Sequence, residues 1–123
     1  MKSLILTGGI AVSAAALALG APGTAQTAAP PAFVACKACH TVEKGGRNGV
    51  GPNLHDVVGR AAASVPGFAY SPAMKASKLT WDAATLDRYL AAPGKTVPGT
   101  KMPIGMADPV KRAAIIAYLR GAK

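Results

Sequence analysis

Cys36-Lys37-Ala38-Cys39-His40 is the stretch on which the reading of this chain turns. Cys-x-x-Cys-His is the attachment signature of c-type haem, in which two thiols add to the porphyrin vinyl groups and the adjacent histidine becomes an iron ligand. The spacing has a mechanical reason. Two intervening residues on a helical turn set both sulfurs along one edge of a macrocycle, and the next side chain swings beneath its centre. Three other readings compete. A thioredoxin-like pair needs a strand and helix around it, and no segment here alternates like a strand. A zinc site would have to use Cys36, Cys39, His40 and His55, and adjacent Cys-His suits tetrahedral ligation poorly. A disulfide across two residues closes a small, strained loop.

Upstream of the motif lies a segment of a different kind. Lys2 is followed by an uncharged run from Leu4 to Leu19, broken by Pro22 and Gly23, with small residues at 23–25. That pattern reads as a secretory leader over Met1 to Ala25, the alternative being a retained anchor, since the run is near the lower limit for a span of roughly 17 residues. Export would carry the protein to the periplasm, where thioether haem is attached. Residues 26–123 then form one domain. The whole chain has 123 residues, a net charge of +9, 50% apolar residues but only 5% aromatic ones. Such an alanine-rich domain builds a thin core, so a cofactor should fill part of its interior.

Downstream, short helical patches alternate with long Gly/Pro loops. Pro30 and Pro31 start a first helix carrying Phe33, Val34 and Cys36 as far as His40. The 31 residues from Thr41 to Ser71 contain six glycines and two prolines and no sustained period. Ser71-Pro72 opens a short helix to about Lys78. Thr80 is expected to cap a better one with Trp81, Leu86, Tyr89 and Leu90 on its apolar side, ended by Pro93-Gly94. A second loop runs from Pro93 to Asp108, and Asp108-Pro109 opens the last helix, with Ile115, Ile116, Tyr118 and Leu119 inward and Gly121 as its stop. The expected fold is mostly α, with short helices and two long loops wrapped around one covalently bound haem.

The segments CKACHTVEKGG, GVGPNLHDVVGR, PGFAYS, LTWDAATLDRYLAAPGKTVPGTKMP and AIIAYL, in that order from Phe33 to Leu119, resemble the class I cytochromes c of the mitochondrial and alphaproteobacterial kind. The resemblance implies a cytochrome c fold, one haem c bound through Cys36 and Cys39, and iron ligated by His40 and Met102. Met102 stands where the family's ligand loop has its methionine; Met106 in the same loop is the rival, with Met74 behind it. The resemblance further implies that the Pro52 carbonyl accepts the proximal histidine's N–H. Tyr89 and Thr100 would support the methionine loop, and Arg60, Tyr70 and Trp81 would surround the haem propionates. His55 is not expected to bind iron.

The chain also departs from the pattern. Ala29 stands where the family has a glycine at the crossing of its first and last helices, and Pro30 and Pro31 should shorten that first helix. Ile104 replaces an aromatic residue, and Met74 replaces an asparagine. Lys37, Lys44, Arg47, Lys95 and Lys101 flank the haem motif or the methionine loop and would steer acidic partners. Nucleic acid is set aside, because no recognition helix or aromatic–basic platform accompanies the charge. The function expected is one-electron transfer, not enzymatic conversion, with a cytochrome bc complex or periplasmic dehydrogenase as donor, a terminal oxidase as acceptor, and the protein a monomer. The alternative is a haem enzyme, peroxidase-like or gas-binding, with an open sixth position.

Overall fold

The computed structural model describes residues 8–9, 13, 15–17, 20 and 27–123. The leader expected over 1–25 lies outside the described residues except for those scattered positions. A 3-10 turn, Pro31–Phe33, leads into one turn of helix, α1 (Val34–Lys37). Then follow α2 (Pro72–Ser77), α3 (Ala83–Ala91), a single turn α4 (Pro93–Thr96) and α5 (Pro109–Gly121). Among the described residues there is no β-strand, only one antiparallel bridge pairing Ala61 with Thr80. No described helix is long and apolar enough to cross a membrane.

Local chemistry accounts for the helix starts. Ser71 accepts the Met74 N–H at 3.0 Å, and Asp108 accepts those of Val110 and Lys111, each with a proline at the first helical position. Two expectations are corrected. Asp82, not Thr80, caps α3, its carboxylate accepting the Thr85 N–H at 2.7 Å, while Thr80 is held in the bridge and Trp81 precedes the helix. These bonds hold the Asp82 carboxyl below the usual carboxylate range. Pro93-Gly94 does not merely end α3; Pro93 begins α4, where its missing N–H costs nothing. Gly121 is the last residue of α5, and Ala122 is its cap.

The first helix is shorter than expected, ending at Lys37, although the His40 N–H still reaches the Cys36 carbonyl at 2.9 Å and continues the helical course to the histidine. Ala29 lies in no helix, so the helix crossing at that position does not form. Its place is taken by Phe33. This ring is fully buried and meets Tyr118 of α5 edge-on, with centroids 4.8 Å apart. The α3 and α5 helices pack together around Leu86, Leu90, Ile115 and Leu119, and Arg112 bridges them to Asp87 at 2.8 Å.

The long loop is ordered by finding backbone partners outside itself. The Gly59 N–H donates to Trp81 O, Trp81 N–H to Arg60 O, Ala62 N–H to Leu79 O, and Asp56 N–H to Ala122 O. Residues 51–62 are thus tied both to the approach of α3 and to the end of α5. Phe33 closes the ring of elements, so Phe33→Ala should cost about 3–5 kcal/mol of unfolding free energy. Guanidinium titration of the protein measures it, and a loss below about 1 kcal/mol would place the closing contact elsewhere.

Candidate haem-binding site

One cavity opens between α1, the two long loops and the α3–α5 pair. All ten sequence-predicted site residues line it. Phe33, Leu54, Val57, Leu86, Leu90 and Ile115 supply much of its apolar wall. His55 is not on it; its ring lies 3.3 Å from the Val42 carbonyl instead.

His40 sits at the end of the motif's turn. Its Nδ1–H donates to the Pro52 carbonyl at 2.7 Å, which fixes the tautomer and leaves Nε2 a bare lone pair without a protein partner. Burial holds the ring's pKa below the usual histidine value despite the Pro52 bond, so it is neutral at pH 7 and able to ligate. Gly51 makes this geometry possible. A Cβ on residue 51 would fall 2.7 Å from both ring nitrogens of His40, inside any tolerable contact. The segment is pinned on either side by the Gly51 N–H to Cys39 O at 2.8 Å and the Leu54 N–H to Thr41 O at 2.8 Å. The buried Asn53 amide adds bonds to Thr41 Oγ1 at 2.7 Å and Glu43 O at 3.0 Å.

Both thiols are free and half-buried. Burial pushes the Cys36 thiol up, with a smaller contribution from Cys39 in the same direction. An oxidoreductase nucleophile needs the opposite shift, toward thiolate, and a strand–helix setting that is missing among the described residues. Nor do three His, Cys, Asp or Glu side chains gather anywhere among the described residues in a group able to hold a metal ion, so the zinc reading lacks its ligand set.

Elsewhere on the cavity wall, the Tyr89 hydroxyl and Thr100 Oγ1 are 2.7 Å apart, and the Met102 N–H donates to Thr100 Oγ1 at 3.3 Å. The methionine loop is therefore tied to α3 through Thr100. Met106 and Met74 line the same cavity, so three thioethers border it. Met106 is anchored by its own N–H to Leu90 O at 2.7 Å. At the third side, Arg60 donates from Nη1 to His55 O at 2.8 Å and from Nη2 to Asn53 O at 3.1 Å. Its Nε is buried with no partner, and desolvation holds its pKa below the usual guanidinium value. An unpartnered charged donor beside an apolar cavity calls for an anionic acceptor. Tyr70, accepting the Val65 N–H at 3.1 Å, and Trp81, stacked at a tilt on Tyr89 with centroids 4.9 Å apart, line the same wall.

The donor set fits a haem: one cavity is lined by paired thiols, an open imidazole and thioethers, with an apolar interior and a buried cation for the carboxylates. Gly51 and Asn53 were not singled out from the sequence. Their importance comes from contacts made across the fold, and the only local signal is their position on either side of Pro52 in GPN.

No protein-family model matches the chain. It is 53% identical over 93 residues to cytochrome c2 iso-2 of Magnetospirillum fulvum, covering 75% of this chain and 96% of that one. To cytochrome c2 of Rhodomicrobium vannielii it is 50% identical over 108 residues, covering 87% and 83%. Among solved structures it resembles cytochrome cH from Methylobacterium extorquens, with a TM-score of 0.67 and 55% identity over 72% of this chain and 90% of that one.

Gly51→Ala should displace the His40 ring and lower the yield of haem-loaded protein severalfold. A pyridine haemochrome assay per milligram of polypeptide reads this directly. An unchanged yield and an unchanged visible spectrum would mean that the loop can yield at residue 51.

Proposed function

The chain belongs to the class I cytochrome c family, and from that premise we propose a one-electron carrier with His/Met-ligated haem, serving a respiratory or other periplasmic electron-transfer chain. Members of the family carry one covalently bound haem c. When bound, it supplies an iron that alternates between ferric and ferrous states and so stores one electron. The observation that carries the reading is the His40 ring, locked by Pro52 with a free Nε2, on the wall of a cavity that Met102 also lines.

The chain's own residues divide the work. Cys36 and Cys39 would hold the haem by two thioether bonds, each thiol adding across one vinyl group with no net oxidation. His40 would ligate the iron through Nε2, and Met102 would ligate it through a soft thioether that favours the ferrous state. Tyr89 and Thr100 hold the backbone that presents Met102. The unpartnered Nε of Arg60 would donate to the propionates, and Tyr70 and Trp81 line the same cavity. The apolar wall keeps water away, which lowers the reorganisation around a change of charge. A site bordered by three thioethers argues for a filled sixth position and against the open one of a peroxidase-like or gas-binding protein.

The partners, on the same reading, are redox proteins with acidic docking faces, a cytochrome bc complex or periplasmic dehydrogenase giving the electron and a terminal oxidase taking it. Lys37, Lys44, Arg47, Lys95 and Lys101 are all exposed, and Lys101 lies at the cavity edge. The reading places the protein in the periplasm as a monomer, after loss of residues 1–25.

Met102→Ala should abolish the far-red methionine-to-iron charge-transfer band, lower the reduction potential on the order of 100 mV, and admit cyanide. Met106→Ala should keep the band and the potential, because that side chain serves only as flexible packing. The reverse result would hand the ligand role to Met106, and retention of the band in both variants would hand it to Met74. Neutralising Lys95 and Lys101 together should slow electron transfer to an acidic partner at low salt. Near 0.5 M salt, where the Debye length is about 4 Å, the variant should match the wild type. Equal slowing at both salts would mean that the two lysines do not act by steering.

A further inference from the structure

The peptide group between Pro52 and Asn53 is held at both ends. Its carbonyl accepts from His40 Nδ1 at 2.7 Å, and its N–H, carried by Asn53, donates to Asn48 Oδ1 at 2.8 Å. The other end of the Asn48 amide is also engaged, Nδ2 donating to Pro66 O at 3.2 Å, which settles which way round the amide lies. Asn48 Oδ1, the 52–53 peptide and the His40 imidazole therefore form one continuous chain of hydrogen bonds. In such a chain each bond polarises the next. An acceptor pulling on the peptide N–H makes the carbonyl at the opposite end more negative and a better acceptor in its turn.

The remaining polar atoms of Asn53 are occupied elsewhere. Nδ2 donates to Thr41 Oγ1 and Glu43 O, Oδ1 accepts the His55 N–H at 2.9 Å, and the main-chain carbonyl accepts from Arg60. Gly46 leaves room for this packing, since a Cβ there would lie 2.7 Å from Asn53 Nδ2 and 2.8 Å from Thr41 Oγ1. The peptide plane is thereby fixed, and the N–H that faces away from His40 is governed by Asn48 alone. Asn48 is itself exposed and does not line the cavity.

We propose that Asn48 is a positioning residue for His40: acting through the Pro52–Asn53 peptide, it strengthens the bond at Nδ1, enriches Nε2 in electron density and so favours ferric over ferrous iron. The proposal rests on the assignment of His40 as iron ligand made above. Outer hydrogen bonds to a ligating histidine are known to tune a metal in this way. Here the tuning group stands one peptide further out, on an exposed loop position where a substitution alters neither a ligand nor the cavity wall.

The test uses the haem-loaded protein and two substitutions. Asn48→Ala removes the acceptor, whereas Asn48→Asp keeps an acceptor, and a stronger one, while losing the donor to Pro66. With 15N-labelled histidine, the His40 Nδ1–H resonance of the ferrous protein should move upfield in Asn48→Ala and downfield in Asn48→Asp. At a fixed mediator potential, the ferrous-to-ferric ratio should rise about twofold in Asn48→Ala and fall in Asn48→Asp. A residue that only tied the two loops together would lose the Pro66 link in both variants, so the resonance and the ratio would stay put or move in one common direction; either result overturns the proposal. A wild-type protein whose spectrum lacks an axial histidine would overturn the ligand assignment itself, a failure visible before any variant is made.

Discussion

The hydrogen bond from His40 Nδ1 to the Pro52 carbonyl is the constraint around which the rest is arranged. An imidazole serves a metal best through one nitrogen when a hydrogen bond at the other fixes its tautomer and its orientation. Meeting that condition places strict demands on residues far from the motif. Residue 51 must be glycine, because any Cβ would enter the ring. The segment 51–54 must be tied to Cys39 and Thr41, and Asn53 must be buried in a pocket with no free polar atom. Even Arg60, which the propionates would claim, spends two of its three nitrogens on the carbonyls of Asn53 and His55. The two walls of the cavity are consequently joined through one short piece of chain.

How much of this could be read beforehand depended on how local each signal is. The Cys36–His40 motif acts within one helical turn, so five residues announced the chemistry. Ser71-Pro72 and Asp108-Pro109 are caps of the same local kind, and both helices begin there. On sequence alone Thr80 is the expected cap of α3, but it pairs with Ala61, a partner nearly twenty residues away, and Asp82 caps the helix instead. Pro93-Gly94 is likewise ambiguous in isolation, since proline both prevents continuation of one helix and suits the first turn of another. Of the ten site residues, all reached the same cavity, but the family pattern brought most of them there on paper. Gly51, Asn53 and the orphaned Nε of Arg60 needed the fold, because each matters through a distance that no periodicity encodes.

The same dependence explains how 31 residues without regular structure can be well ordered. Their backbone groups are satisfied partly by turns within the loop and partly by the approach to α3 and the end of α5, and many of their side chains furnish the cavity wall. The interior left over is apolar, bordered by three thioethers, and too large for so few aromatic residues to fill. Occupation by a flat apolar group with charged edges satisfies the wall, the cation and the imidazole at once. A small alanine-rich chain gains from this arrangement a centre that its own side chains could not provide.

The contact between Phe33 and Tyr118 sets an order of events for biogenesis. The surface that buries Phe33 beside the cysteines belongs to α5, which is synthesised about seventy residues after them. Until Ile115 to Leu119 are available, the cavity lacks one wall, and the region around Cys36 and Cys39 stays open. A nascent chain therefore leaves its thiols open to haem attachment during a defined interval, which ends when α5 docks. Closure is slow on its own account, because it joins segments more than eighty residues apart. The delay that topology imposes on folding is thus the window in which covalent maturation can take place.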